Sequence, residues 1–234
     1  MNSIRNNAII VGVLFLLAAV TAIIGLVLYQ PILNEPDYII KESVNNIQVV
    51  WGAFFEIILA LSVIGISIMM YPILKMKNEN IAIGYVCFRL LEGTIIIIGI
   101  ISLLSIVTLN QDFSKVPNQN IASFLIAGKL LVAVHNWTFL FGPNFALGPS
   151  TLMMSYFLYK SKLVPRYISI LGLVGGPLIF TCAVLVMFGV FLQVSVWGSI
   201  LAIPVFAYEM SLAIWLIAKG FNSTQLANSN IKTN

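Results

Sequence analysis

The chain contains 234 residues, of which 60% are hydrophobic and only 9% are charged. Soluble domains are about 45–50% apolar and about 25% charged, so this composition excludes a soluble globule and a disordered chain. The formal net charge is +4, yet so few charged residues also exclude a nucleic-acid binder, whose basic residues cluster on one face. The sequence therefore predicts an integral membrane protein.

Six apolar stretches are long enough to cross a bilayer, which takes about 20 residues per helix. In chain order they cover residues 8–29, 49–74, 81–109, 130–159, 167–191 and 197–218. Polar or turn-prone residues separate them, and none alternates between polar and apolar positions, which is typical of membrane helices and not of barrel strands. The predicted fold is an all-α, polytopic bundle of six transmembrane helices.

The fourth stretch is ambiguous because Gly142-Pro143 and Gly148-Pro149 interrupt it and residues 121–134 before it are also apolar. The distribution of positive charge distinguishes one pass from two. With a cytoplasmic N-terminus and one pass, eight cations are cytoplasmic and two are external: Arg5, Lys75, Lys77, Lys160, Lys162, Arg166, Lys219 and Lys232 against Lys41 and Lys115. This bias predicts that both termini are inside. Residues 121–134 then form an amphipathic interfacial helix before a kinked fourth span.

The spans and their short loops predict one six-helix transmembrane domain over residues 1–222. Residues 223–234 are rich in Asn and Ser, and we expect them to form a disordered cytoplasmic tail. Gly175-Gly176-Pro177 and the two Gly-Pro pairs predict helix breaks. Such breaks free backbone carbonyls that line substrate sites in some transporters, although proline kinks are also common in membrane helices with no such role.

A set of ionisable and polar residues inside the apolar spans forms the candidate ligand- or proton-binding site. A charged side chain facing lipid costs about 2.5–3.5 kcal/mol, so these residues are expected to face the bundle interior. On the third span, steps of three and four residues predict one shared helix face on which Arg89 and Glu92 can touch. Because an unpaired guanidinium in hydrocarbon is costly, we predict that Arg89 lies within salt-bridge reach of Glu92 or Glu209. The candidates, which together predict a polar column, are Glu56, Tyr85, Arg89, Glu92, His135, Asn136 and Glu209.

The charges of this set do not balance. Pairing of Arg89 with Glu92 leaves Glu56 and Glu209 without an assigned strong cation, so one carboxyl group is expected to carry a proton, as a proton relay requires. Buried Arg–Glu pairs also fix helix packing without any ligand, and the sequence leaves this interpretation open. One His and two separated Cys form no zinc site, and the sequence contains no cofactor-binding motif.

Four segments carry a family resemblance. They are Tyr71-Pro72-Ile73-Leu74-Lys75, the run from Gly84-Tyr85 through Phe88-Arg89-Leu90-Leu91-Glu92-Gly93, the run from Lys160 to Arg166, and the run from Glu209 to Asn222. In these segments the chain resembles a family of bacterial membrane proteins catalogued as domain of unknown function 4386. The resemblance covers nearly the whole chain and implies a multi-pass protein of the bacterial inner membrane, without a reaction. His135-Asn136 departs from the family pattern, in which a cationic or small residue precedes Asp.

Two functional hypotheses follow. The first is a proton-linked carrier or sensor that binds a small molecule or ion, with Glu56, Glu92 and Glu209 as acceptors and Arg89 as their counter-ion. The second is an accessory or structural subunit in which the polar residues only fix helix packing. An intramembrane enzyme ranks last, because no nucleophile–base pair or metal set is recognisable. A cavity that reaches Glu92 favours the first hypothesis, whereas a dry, fully paired cluster favours the second. The lipid bilayer is the partner that the sequence predicts, and no partner protein can be identified from it.

Overall fold

A computed structural model describes residues 2–35, 37–41, 45–113, 115 and 121–222. Within these residues the regular structure is helical throughout and contains no strand. The α-helices are α1 (Asn2–Leu28), α2 (Gln30–Asn34), α3 (Asn46–Lys75), α4 (Glu79–Phe113), α5 (Ile121–Leu140), α6 (Leu147–Ser161), α7 (Arg166–Met187) and α8 (Val196–Ala218). A 3-10 helix covers Tyr38–Ile40, and a π-helix covers Phe141–Ala146.

Six helical segments are long and apolar enough to span a membrane. The all-α, multi-pass architecture is therefore confirmed. The inward orientation of both termini and the single domain over residues 1–222 stay predictions. The proposed tail at 223–234 lies outside the described residues.

The fourth span is one continuous helical segment, Ile121–Ser161, of 41 residues. It joins α5 to α6 through the π-helical turn, which contains Gly142 and Pro143. Proline lacks an amide hydrogen, so a wider turn at this position adjusts the helical hydrogen bonding without ending the helix. At 1.5 Å per residue the segment is about 60 Å long, about twice the hydrocarbon thickness of a bilayer. Placement of its first part at the membrane interface stays a prediction.

The predicted break in α7 is wrong, because α7 continues through Pro177 as one helix. Its two glycines allow close helix contacts instead. A Cβ on Gly176 would lie 2.9 Å from the Gly148 carbonyl oxygen in α6, and a Cβ on Gly175 would lie 2.6 Å from the Val205 nitrogen in α8. These glycines therefore serve the packing of the last three helices.

The bundle has two ends with different side chains. Helix α1 begins and helix α8 ends at the same end of the bundle, where the successive spans also bring Arg5, Lys75 and Arg166. We call this the basic end. At this end Arg5 donates from Nη1 to the Leu216 carbonyl at 2.9 Å and from Nη2 to the Ile217 carbonyl at 2.6 Å. The first helix is thus fixed to the end of the last. At the opposite end, Tyr29, Ile32 and Tyr38 of the α1–α3 connection are buried in one cluster with Leu103 and Ile106 of α4.

Candidate functional site

An ion cluster centred on Arg89 links the third and sixth spans. The Nη1 atom of Arg89 lies 3.2 Å from Glu92 Oε2, one helical turn further along α4, and its Nη2 atom lies 3.0 Å from Glu209 Oε1 in α8. Arg89 is 1% exposed. The predicted contact of Arg89 with Glu92 is therefore confirmed, and Glu209 is a second partner of the same guanidinium.

Two aromatic rings complete the surroundings of this guanidinium. Its Cζ lies 5.6 Å from the ring centroid of Tyr85 and 5.8 Å from that of Phe15 in α1. Guanidinium groups bind favourably to aromatic faces, and they do not lose their proton in proteins. Arg89 is therefore a fixed positive charge that contacts α1, α4 and α8 together.

A cavity of about 230 Å³ lies next to this cluster, among the first, second, third, fourth and sixth spans. Its walls are mainly aliphatic and aromatic. The polar groups that line it are the side chains of Glu56, Arg89, Glu92, His135, Thr138 and Glu209. The cavity thus reaches Glu92, which is the geometry expected of a binding protein.

The cavity opens toward the side of the bundle. Ile23 of α1 and Phe206 of α8 line it and are 59% and 52% exposed. Nearer the basic end the same two helices touch, since a Cβ on Gly12 would lie 2.7 Å from the Ala213 carbonyl oxygen. The Glu209 side chain is 20% exposed against 5% for Glu92, which makes Glu209 the more accessible carboxylate of the cluster.

Glu56 forms a second polar region of the cavity. It is a buried residue of α3, and a Cβ on Gly25 of α1 would lie 2.8 Å from its Cγ, so only glycine leaves room for it there. In the described ranges, the ion pairs leave Glu56 without a Lys or Arg partner. It interacts electrostatically with Tyr29, whose ring lies edge-on to that of His135 with centroids 5.7 Å apart. This region has a carboxyl group and no counter-charge.

Two buried polar atoms lie in the region of Glu56. The Tyr29 hydroxyl and His135 Nδ1 are both buried, and neither forms a hydrogen bond of standard geometry within the part of the chain that the structure describes. Buried polar atoms nearly always have a partner, so such atoms deserve a physical explanation. His135 lines the cavity and Tyr29 does not, while the Tyr29 side chain interacts with Glu56.

The structure brings most of the predicted site residues together. Five of them line the cavity: Glu56, Arg89, Glu92, His135 and Glu209. Tyr85 lies behind Arg89 and is buried. Asn136 is exposed and does not line the cavity, because one step along a helix turns a side chain by about 100° away from its neighbour. Among the described residues no three His, Cys, Asp or Glu side chains lie close enough to hold a metal ion.

Sequence reasoning missed the apolar walls of the cavity. Ala18 and Ala22 of α1 lie one helical turn apart and leave space in front of the carboxylates. Their spacing is a visible signal, although small residues at this spacing mark close helix contacts as often as cavities. Thr138 follows His135 by three residues and so shares its face, while Phe139 stacks on the His135 ring with centroids 6.3 Å apart.

Comparison with known proteins identifies the family and no activity. A family model described as "Domain of unknown function (DUF4386)" matches residues 10–220. The chain therefore belongs to this family. No curated protein and no solved structure matches it.

Proposed function

We propose that this member of the DUF4386 family is a membrane protein that binds a small molecule or ion in exchange for a proton, acting as a carrier or a sensor. The observation that supports this most directly is the cavity of about 230 Å³ lined by Glu56, Arg89, Glu92 and Glu209. An ion cluster with a purely structural role does not need an adjacent open space.

The charges around the cavity favour a positively charged ligand. Arg89 is paired with both Glu92 and Glu209, so its charge is already neutralised. Glu56 and one carboxylate of the cluster then remain without a matching cation. A buried carboxylate needs a proton or a cation to become stable in a medium of low dielectric constant. A proton and a small organic cation therefore compete for the same acceptors.

The apolar walls restrict the shape of such a cation. Phe15, Phe139 and Phe206 contribute rings to the lining, and aromatic faces attract cations while their edges pack against apolar groups. Small ligand pockets generally combine apolar walls with few fixed polar groups. A small amine with an apolar body fits this description, and the side opening gives it access from the bilayer.

Calorimetric titration of the purified protein in detergent with benzylamine tests the proposal. Benzyl alcohol serves as the uncharged control ligand. We expect saturable binding of benzylamine whose affinity falls as the pH is lowered, because protons then occupy the carboxylates. We expect Glu56→Gln to weaken the binding by about tenfold or more and to flatten its pH dependence. Proton release on binding, measured in weakly buffered solution, should disappear in Glu56→Gln.

Two further variants make the result interpretable. Glu79→Gln removes a carboxylate of the basic end that lies outside the cavity and pairs with Lys75, so it should leave binding unchanged. Ala22→Phe fills the cavity without altering any charge and should abolish binding. Equal binding by the wild type, Glu56→Gln and Ala22→Phe, or none by the wild type, would contradict the proposal.

A second candidate function is that of an accessory subunit that is held rigid by its polar cluster. The observation that favours it is that both terminal nitrogens of Arg89 lie within ion-pair distance of a carboxylate, Nη1 of Glu92 and Nη2 of Glu209. Buried pairs of this kind fix the arrangement of helices without any ligand. Under this function, loss of the cluster lowers stability and leaves no binding phenotype.

A further inference from the structure

A second pocket lies at the basic end, where α8 finishes, and shares no lining residue with the cavity described above. It measures about 620 Å³ and lies between the α6–α7 turn and the segment that follows α8. We call it the basic pocket. It is lined by Lys162, Leu163, Val164, Pro165, Arg166, Trp215, Lys219, Gly220, Phe221 and Asn222.

The basic pocket carries positive charge without compensation. Lys162, Arg166 and Lys219 contribute to its lining, and no acidic residue does. The ion pairs in the described ranges do not include these three cations. Glu79, the acidic residue that begins α4 at this end, is already paired with Lys75. Three unpaired cations around one pocket create a field that attracts an anion.

The pocket is built by the fold and is not a chance grouping of surface lysines. The Asn222 amide donates to the Leu163 carbonyl at 2.9 Å, which joins the two segments that form its walls. Lys162 ends α6 in the left-handed conformation with φ 55° and turns the chain toward α7. Val164 and Phe221 are buried beneath the pocket. Its floor is therefore fixed, and the cations stand at its rim.

Three helix ends meet at the basic pocket, those of α6, α7 and α8. The last carbonyls of α8 carry partial negative charge, but Leu216 and Ile217 already accept hydrogen bonds from Arg5. The N-terminus of α7, which begins at Arg166, carries partial positive charge. The C-terminus of α6, which ends at Ser161 next to Lys162, carries partial negative charge. Helix ends of both signs therefore meet at the pocket, and its positive field comes from the three cationic side chains.

We propose that the basic pocket binds a phosphate group, supplied by an anionic phospholipid headgroup or by free phosphate. A guanidinium binds phosphate oxygens in a two-pronged geometry, and two ammonium groups add point charges. Basic pockets between membrane helices are suited to lipid headgroups. Trp215 lines the pocket, and tryptophan is typical of the interface where headgroups lie.

Fluorescence of Trp215 can report on occupancy. The other three tryptophans, Trp51, Trp137 and Trp197, are about half exposed or more and lie outside the pocket, so a chain with Phe at these positions keeps one reporter. The probes are dihexanoyl phosphatidylglycerol, dihexanoyl phosphatidylcholine and inorganic phosphate. We expect saturable binding of phosphatidylglycerol in preference to phosphatidylcholine, weakening as salt concentration rises.

A pair of double variants separates the pocket from general surface charge. Lys162→Gln/Lys219→Gln removes two charges from the pocket, and Lys77→Gln/Lys160→Gln removes two exposed charges of the same end outside it. The first should raise the dissociation constant by about tenfold or more, and the second should change it less than about twofold. Arg166→Lys keeps the charge and loses the two-pronged geometry, so we expect an intermediate rise in the dissociation constant. This single variant tests the pocket independently if a double variant folds poorly.

The results of these titrations distinguish a lipid headgroup from free phosphate and also show when the proposal fails. If phosphatidylglycerol binds and inorganic phosphate does not, the pocket is assigned to a lipid headgroup. If both bind, the phosphate group suffices. Equal weakening in both double variants, or equal affinity for phosphatidylcholine, would overturn the proposal. Glu56→Gln should leave this binding intact, so the result does not depend on the function proposed for the cavity.

Discussion

Replacing the two carboxylates around Arg89 singly and together should give strongly non-additive losses of stability. In Glu209→Gln, the guanidinium keeps Glu92 at 3.2 Å, and in Glu92→Gln it keeps Glu209 at 3.0 Å. Each single variant exchanges a charge-assisted hydrogen bond, worth about 1.5–3 kcal/mol, for a neutral one worth about 0.5–1.5 kcal/mol. The expected single loss is therefore about 1 kcal/mol.

The double variant leaves a buried guanidinium without any carboxylate in the cluster. Uncompensated buried charges of this kind cost about 3–5 kcal/mol. The double loss should therefore exceed the sum of the single losses by about 1–3 kcal/mol, within the range measured for residues that share a partner.

Thermal unfolding in detergent measures this difference. For chains of this size, 1 kcal/mol corresponds to about 2–4 °C in melting temperature, so each single variant should lose about 2–4 °C and the double variant at least about 6 °C. Glu79→Gln, which breaks an exposed pair, should cost less than about 1 kcal/mol. Strictly additive losses would refute the reasoning, because they would mean that the two carboxylates do not share one guanidinium.

Two other predictions concern the chain at its turns and ends. Gly220 has φ 74°, and a Cβ there would lie 2.7 Å from Arg5 Nη1. Gly220→Ala should therefore destabilise the protein by more than the backbone contribution of about 1–2 kcal/mol, whereas Gly189→Ala, with the same φ and open space around it, should cost that contribution alone. Equal melting temperatures of the two variants would contradict the contact between residue 220 and Arg5. In a cysteine-free background, a membrane-impermeant maleimide should label Val194→Cys and leave Asn80→Cys unlabelled in whole cells, since both positions are exposed and lie at opposite ends; the reverse pattern would invert the predicted topology.

The helices and one face of the site could be predicted because both depend on local spacing. Hydrophobic length locates the spans, and the step of three residues from Arg89 to Glu92 predicts their contact. The sequence predicts a partner for Arg89 among Glu92 and Glu209 but does not decide between them, because 120 residues separate Arg89 from Glu209 and apolar composition does not determine which helices are neighbours. Charge alone indicates only that each requires some partner.

The cavity could not be predicted for a related reason. Its lining comes from five different spans, and the angles at which helices pack decide whether a space remains between them. Small residues such as Ala18 permit such a space without requiring it. The wide turn around Pro143 was predicted only as a break, since a π-helix and a simple kink share the same sequence signal.

The bond between Arg5 and the carbonyls of Leu216 and Ile217 joins residues 211 and 212 positions apart. Chains are synthesised at about 5–20 residues per second, so the carbonyls that hold Arg5 are made about 10–40 s after it. During that interval the first helix lies in the membrane with its final neighbour absent. The wall of the cavity between the first and last spans must therefore be the last to assemble. A chain that lacks the final helix would leave this wall of the cavity open, and we expect membrane proteases to degrade it.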